Sequence, residues 1–263
     1  MAGAALAGGV ALVARRAGSL TPSGQWAATL MGTAVTAAGW GWALLLIGYF
    51  VASTALTRMG RAAKAARTAA VLPDGSARTA TQVVANGGIY ATGVVLGTLL
   101  EAPAWTIAGA GALAAAAADT WATELGTLWG GVPRSLLSGR AMRPGESGGV
   151  TLVGLSGSVL ASLLVAAAAV ALTGPLAGPA WRPALTGFAA AGLAGSVGDS
   201  LLGATVQSKR WCAACSSWTE REVHPCGRRT DPRRGVRWMT NDAVNLLATV
   251  VGALVALALV PLR

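Results

Sequence analysis

Asp119, Glu124, Asp199 and Asp242 stand inside otherwise apolar stretches of a 263-residue chain that has only 10 Asp and Glu in all. A carboxylate near a bilayer centre costs roughly 2.5–3.5 kcal/mol on insertion scales, so such groups face a cavity, a partner or an ion. On a helix Asp119 and Thr123 share one face, and Thr120 and Glu124 share another. Asp119 and Glu124 are about 140° apart at 3.6 residues per turn, so one straight helix does not aim both at one point. Asp199, Gly203 and Gln207 recur along a stripe of a second apolar segment. Asn241, Asp242 and Asn245 open a third, where Asp242 is able to cap a helix. Carboxylates from several helices, with amides nearby, suit a hard cation such as Mg2+, which takes oxygen ligands and substrate phosphates. Neighbouring Arg and Lys suit phosphate oxygens. The bland alternative is that each acid pairs with a loop arginine or caps a helix.

A second constellation gathers every cysteine and the only histidine within fifteen residues: Cys212-Ala-Ala-Cys215, then His224-Pro-Cys226. Cys-x2-Cys followed by His-x-Cys supplies the four ligands of a closed, structural tetrahedral Zn2+ site. A disulfide fits a reducing compartment poorly, and three cysteines leave one over. A third feature, Arg143-Pro-Gly-Glu-Ser-Gly148-Gly149, precedes an apolar helix, where glycine-rich backbone N–H groups can hold phosphate. No Gly-x4-Gly-Lys-Ser/Thr loop occurs, so a P-loop nucleotide site is absent.

The elements that must position these groups are membrane helices. Hydrophobic residues make up 54% of the chain and charged residues 11%, against about 25% charged in a soluble domain. Apolar segments fall near 2–14, 24–38, 40–57, 82–100, 103–129, 150–173, 183–206 and 241–260. The first two are short for a span of about 20 residues, so the expected fold is an all-α, polytopic integral membrane helix bundle of seven or eight spans. One membrane domain would cover residues 1–263, with a zinc-stapled cytoplasmic loop at 207–239. The net charge of +10 is not a nucleic-acid footprint. Its basic residues cluster in three loops and the Arg15–Arg16 turn, and with eight spans all four land on one side. The connections near Glu101 and Gly174–Arg182 land opposite. The positive-inside rule makes the basic side cytoplasmic. Asn86, the four acids, Asn241 and Asn245 then converge at one depth under the basic loops, which scattered structural polar residues would not do.

The motifs Asp119-Thr-Trp-Ala-Thr-Glu124-Leu-Gly126, Gly198-Asp199-Ser-Leu-Leu-Gly203-Ala-Thr-Val-Gln207 and Asn241-Asp242-Ala-Val-Asn245 resemble, in order and spacing, a membrane family that contains plant phytyl-phosphate kinase and animal transmembrane protein 19. Gln82-Val-Val-Ala-Asn86-Gly-Gly and Gly145-Glu-Ser-Gly-Gly149-Val-Thr extend the likeness across nearly the whole chain. The resemblance implies a kinase of the cell membrane that converts an isoprenoid (phytyl or geranylgeranyl) monophosphate to the diphosphate, using a nucleoside triphosphate with CTP favoured. It implies functional roles for Asn86, Asp119, Glu124, Asp199, Asn241, Asp242 and Asn245. In that chemistry Asp119, Glu124 and Asp199 are expected to hold Mg2+. Asn86, Asn241 and Asn245, with Thr123, Gln207, Gly148 and Gly149, are expected to bind substrate, and Lys64, Arg140 and Arg143 to clamp phosphates. The competing readings are an ion-coupled carrier, which wants its polar groups near the midplane and often an internal repeat, and another CTP-dependent lipid transferase.

Overall fold

The computed structural model describes residues 2–73, 75, 77–173 and 181–262; most of the expected connection at 174–182 lies outside them. The helices are α1 (Ala2–Arg16), α2 (Pro22–Ala38), α3 (Trp40–Arg58), α4 (Arg61–Thr68), α5 (Ala80–Leu99), α6 (Pro103–Trp129), α7 (Leu152–Leu172), α8 (Trp181–Thr205) and α9 (Asn241–Leu259). Every apolar segment of the sequence became a helix, with ends within two or three residues of those expected. The short basic α4 was not anticipated, because eight residues rich in Ala and Arg carry no apolar stripe. Threonine sets several starts: Thr21, Thr79, Thr151 and Thr240 each accept a hydrogen bond from a backbone N–H in the first turn of α2, α5, α7 and α9. At α5 the cap is reciprocal, since the Thr79 N–H donates to Gln82 Oε1 at 3.0 Å.

Among the described residues α3, α7, α8 and α9 are long and apolar enough to cross a membrane. The expectation of seven or eight spans is not reached on that measure. α1 and α2 are too short, and α5 and α6, rich in Gly, Ala and Thr, are not in the set. For α6 the reason is its position. It packs against α5, α7, α8 and α9 at once, and every residue from Thr106 to Ala118 is buried. A helix wrapped by protein needs small residues for close approach rather than bulky apolar ones for lipid. A Cβ added at Gly111 would come within 2.6 Å of the Gly252 carbonyl oxygen on α9. α1 packs on α2 and α2 on α5, forming a second layer beside this core, and α3 bridges α6 and α7. Tyr90 of α5 ties the layers by donating to the Trp42 carbonyl at 2.6 Å.

The loops at the basic end hold the strands. β1 (Arg134–Ser135) pairs with β2 (Gly149–Val150), which folds the glycine-rich segment back over the bundle. β3 (Lys209–Cys212), β4 (Ser217–Thr219) and β5 (Asp231–Arg234) form an antiparallel sheet in the order β4-β3-β5. Trp211 and Trp218 sit directly opposite each other across β3 and β4, edge to face with centroids 5.0 Å apart, the kind of cross-strand aromatic pair that favours a hairpin. The 207–239 loop therefore carries a small sheet, so the all-α expectation holds for the bundle and not for this loop.

Candidate functional site

A cavity of about 520 Å3 opens at the basic end, walled by the starts of α5, α7 and α9, the ends of α6 and α8, and the glycine-rich loop. Asp119, Glu146, Asp199, Glu220 and Asp242 all line it, in a chain with 10 acidic residues. No Lys or Arg is among the described residues that line it. Asp119 and Glu220 lie near enough to repel Asp199 electrostatically. Asp199 Oδ2 is buried and has no hydrogen-bond partner among the described residues. An uncompensated buried carboxylate oxygen is costly, and one beside further carboxylates fits an oxygen-seeking cation.

The walls supply the complementary sign. Thr79 with Gln82, Thr151 with Gly154, and Asn241 with Asp242 line the cavity, and these pairs mark the N-termini of α5, α7 and α9. Three positive helix ends around one cavity favour an anion such as phosphate. Gly148 and Gly149 also line it. Gly148 needs to be glycine, because its φ is +87° and an added Cβ would sit 2.6 Å from Ala204 Cα on α8.

Of the residues singled out from the sequence, Asp119, Thr123, Gly148, Gly149, Asp199, Gln207, Asn241 and Asp242 meet at this cavity. Asp242 is not the cap of α9; Thr240 accepts from the Ala243 N–H, which frees Asp242 to face the cleft. Glu124 does not join the other acids. The 140° offset carries it round α6 to Lys64 of α4, with which it forms a salt bridge, and it accepts from the Thr57 hydroxyl at 2.6 Å. Lys64 also donates to the Leu56 and Thr57 carbonyls, so it is a structural tie rather than a phosphate clamp. Lys64→Met strands a largely buried carboxylate, and breaking such a pair costs about 3–5 kcal/mol. A clear drop in melting temperature in detergent is expected, with most of it recovered in Lys64→Met/Glu124→Met. Asn86 donates to the Gln82 carbonyl at 2.9 Å and lines a separate apolar cavity. Arg140 and Arg143 are exposed and do not line the cleft, although Arg143 acts electrostatically on Glu146. Asn245 is half-buried one turn below the lining residues of α9.

Sequence reading missed Glu220, Glu146, Lys209 and three serines that line the cleft, Ser147, Ser196 and Ser200. Glu220 follows β4 and is drawn in from the cysteine loop. It accepts from the Ser147 hydroxyl and from Gln207 Nε2 at 3.0 Å, and its own N–H donates to the Val71 carbonyl at 2.8 Å. Burial raises its carboxyl above the usual carboxylate range, and burial does the same to Glu146. Lys209, itself buried and lowered for that reason, donates to the Ser147 carbonyl at 2.6 Å behind the cleft. The available signal was the position of Glu220 alone, an acid midway between Cys215 and His224.

Those ligand-type residues do come together. The Sγ atoms of Cys212, Cys215 and Cys226 and a His224 ring nitrogen lie within 4.8 Å of one another, so the cluster could hold a metal ion. Cys212 Sγ and Cys226 Sγ are 3.7 Å apart, close to the edge of about 3.8 Å that a tetrahedron with 2.3 Å Zn–S bonds requires. The Arg228 backbone N–H, followed by His224, brings the Cys226 thiol down to about 6, while its contact with Cys226 pushes Cys215 up to about 11. The lowered Cys226 thiol favours the thiolate, the form a metal takes. Ser217 Oγ holds the ring, 3.4 Å from His224 Nε2.

A family model described as integral membrane protein DUF92 matches residues 5–253. Protein PGR of Arabidopsis thaliana is 30% identical over 253 residues, covering 89% of this chain and 86% of its own length. The uncharacterized membrane protein MJ0933 of Methanocaldococcus jannaschii is 26% identical over 248 residues, 94% of this chain and 88% of that one. No solved structure matches.

Proposed function

The chain belongs to the integral membrane protein family DUF92, and we propose that it is a membrane-embedded kinase that phosphorylates an isoprenoid monophosphate to the diphosphate from a nucleoside triphosphate, with CTP the favoured donor. The observation that carries this reading is the cavity itself, where five carboxylates, one with a buried oxygen unpaired among the described residues, face three helix N-termini. A bare cation site has no use for the helix ends, and a bare phosphate site has no use for the acids. A metal-bridged phosphate uses both. We place the site on the cytoplasmic side, under loops rich in Arg, in a bundle of seven or eight spans in which α1 and α2 are short or tilted.

In this account Asp119, Asp199 and Glu220 would hold Mg2+, with Glu220 in the role first expected of Glu124. Bound there, Mg2+ supplies neutralisation of charge on the transferring phosphoryl group. The N-terminal amides of α5, α7 and α9 and the Gly148 backbone bind phosphate oxygens, Asn241 donates a hydrogen bond, and Ser196, Ser200 and Thr123 orient the two substrates. Asp242 stands at the cleft wall, where it would face the bound nucleotide. The acceptor is a phosphate monoester, ionised at neutral pH since its second pKa is about 6, so no strong general base is needed. The chain's work is orientation and exclusion of water. Arg143, which acts on Glu146 of the cleft, and the exposed Arg140 would raise the local concentration of anionic substrate. An ion-coupled carrier would set its acids at mid-membrane; here they gather at one end of the bundle among loops. The Cys212, Cys215, His224 and Cys226 cluster is assigned to structural Zn2+.

The test is full-length protein in nanodiscs with Mg2+, each of the four nucleotides, and phytyl or geranylgeranyl monophosphate. Prenyl diphosphate formation is expected, and its absence with every pairing overturns the reading. A pH dependence follows from Glu220. Its raised carboxyl carries a proton above the usual carboxylate range, and a cation must displace that proton. Mg2+ affinity should therefore rise with pH across the range above the usual carboxylate values, with proton release on binding, and Glu220→Gln should flatten the slope. The cation-free protein behaves oppositely, since a group with a raised folded-state value stabilises below it and loses that contribution as pH rises.

A further inference from the structure

A second cavity lies between α1, α2, α3 and α5 and plays no part in the account so far. Its walls are apolar or small, among them Leu6, Val10, Met31, Leu46 and Ile47. Along α2 it runs from Ala28 to Thr36, about 12 Å of helix. Gly32 and Gly87 keep it open: a Cβ at Gly32 would reach Ala7 Cβ at 3.0 Å, and one at Gly87 would reach Met31 Sδ at 2.7 Å.

Its basic end is polar in a specific way. Arg78 lines it and also lines a small adjoining pocket with Arg58 and Arg61. The Arg78 guanidinium lies 5.8 Å over the Phe50 ring and has no carboxylate partner among the described residues. Gln82 lines both this cavity and the acidic cleft. Its oxygen is taken by the Thr79 N–H, and its NH2 has no acceptor among the described residues.

We propose that this groove is the tail site for the lipid substrate: a single-chain lipid phosphate lies with its hydrocarbon between α1, α2, α3 and α5. Its head passes Arg78 and Gln82 into the acidic cleft. The assignment rests on the phosphoryl-transfer reading, and it gives that reading a lipid subsite. The charge complement selects the occupant. An apolar trough ending at Arg78, with Arg58 and Arg61 in the small pocket beyond it, fits one anionic head on one chain, and the shared Gln82 wall joins the trough to the place where phosphate would react. Gln82 is then a specificity residue, with donors for the phosphate at the point of passage.

The experiment uses full-length protein in nanodiscs and a geranylgeranyl monophosphate carrying a diazirine near the end of its chain. Photolabelling should map to α1, α2 and α3 and be competed by unmodified geranylgeranyl monophosphate more strongly than by geranylgeraniol. Inorganic phosphate should not compete. Ala28→Trp and, as a second variant, Val10→Phe should each raise the KM for the lipid by about tenfold or more and leave Mg-nucleotide affinity unchanged. Arg78→Gln should erase the advantage of the phosphate over the alcohol. Label spread over outward residues such as Leu152 and Leu160, or competition that ignores the head group, overturns the tail site even where turnover is normal. Competed label in the groove without turnover against any nucleotide keeps the tail site and removes the kinase.

Discussion

Asp199→Asn is expected to abolish phosphoryl transfer while leaving the protein folded. The substitution keeps the shape of the side chain and removes its charge at an oxygen that is buried and unpartnered among the described residues. Without a cation that charge is a liability, so the metal-free variant should melt at the same temperature as the parent or higher. With the substrates present the sign reverses. Losing one carboxylate from a divalent site that stabilises transition-state charge by several kcal/mol corresponds to about a thousandfold loss of turnover, at 1.36 kcal/mol per decade. Asp119→Asn should behave alike, because Asp119 lines the same wall and acts on the same carboxylate. Glu124→Gln, the control, should cost stability through Lys64 and leave the affinity for Mg2+ intact. Retention of more than about a tenth of turnover in Asp199→Asn removes it from the mechanism.

Stripping the metal from the cysteine cluster should have the second largest effect. Structural Zn2+ contributes about 10–16 kcal/mol in small zinc modules, and the sheet of β3, β4 and β5 has little apolar core of its own to replace it. Cys212 is fully buried at the end of β3, and Glu220 follows β4 directly. A Zn2+ held there would close the loop and with it hold Glu220 against Ser147 and Gln207. Cys212→Ser, or a strong chelator, should open residues 213–229 to protease and lower turnover by about a hundredfold, the usual upper range for lost supporting contacts at a metal site. The transmembrane helices should keep their circular dichroism. Purified protein holding no zinc, with full activity and a protected loop, contradicts this coupling.

The bundle was legible in the sequence because hydrophobic length alone marks a membrane helix. The acids Asp119, Asp199 and Asp242 were legible for the same reason: a charge in an apolar run is conspicuous. Glu220 was not, since an acid in a loop rich in Arg looks like ordinary solvated surface until the cysteines fold that loop back over the bundle. Glu124 misled in the opposite direction. Its motif neighbours Asp119 and Gly126 face the cleft and the α7 start, yet helical geometry turns Glu124 itself toward α4, an element too short and too basic to be foreseen. Asn86 stood at the right depth on the wrong face of α5. Depth along a helix is read from position in the sequence, whereas azimuth depends on which neighbours the helix finds.

Mn2+ in place of Mg2+ gives the most direct measurement. Electron spin resonance of the full-length protein in nanodiscs should reveal saturable Mn2+ binding that Asp119→Asn and Asp199→Asn each abolish. Phosphorus hyperfine coupling should appear when nucleotide and geranylgeranyl monophosphate are added. Saturable binding that survives both substitutions, or a bound ion that never senses phosphorus, contradicts a carboxylate cradle that brings metal and phosphate together at this cleft.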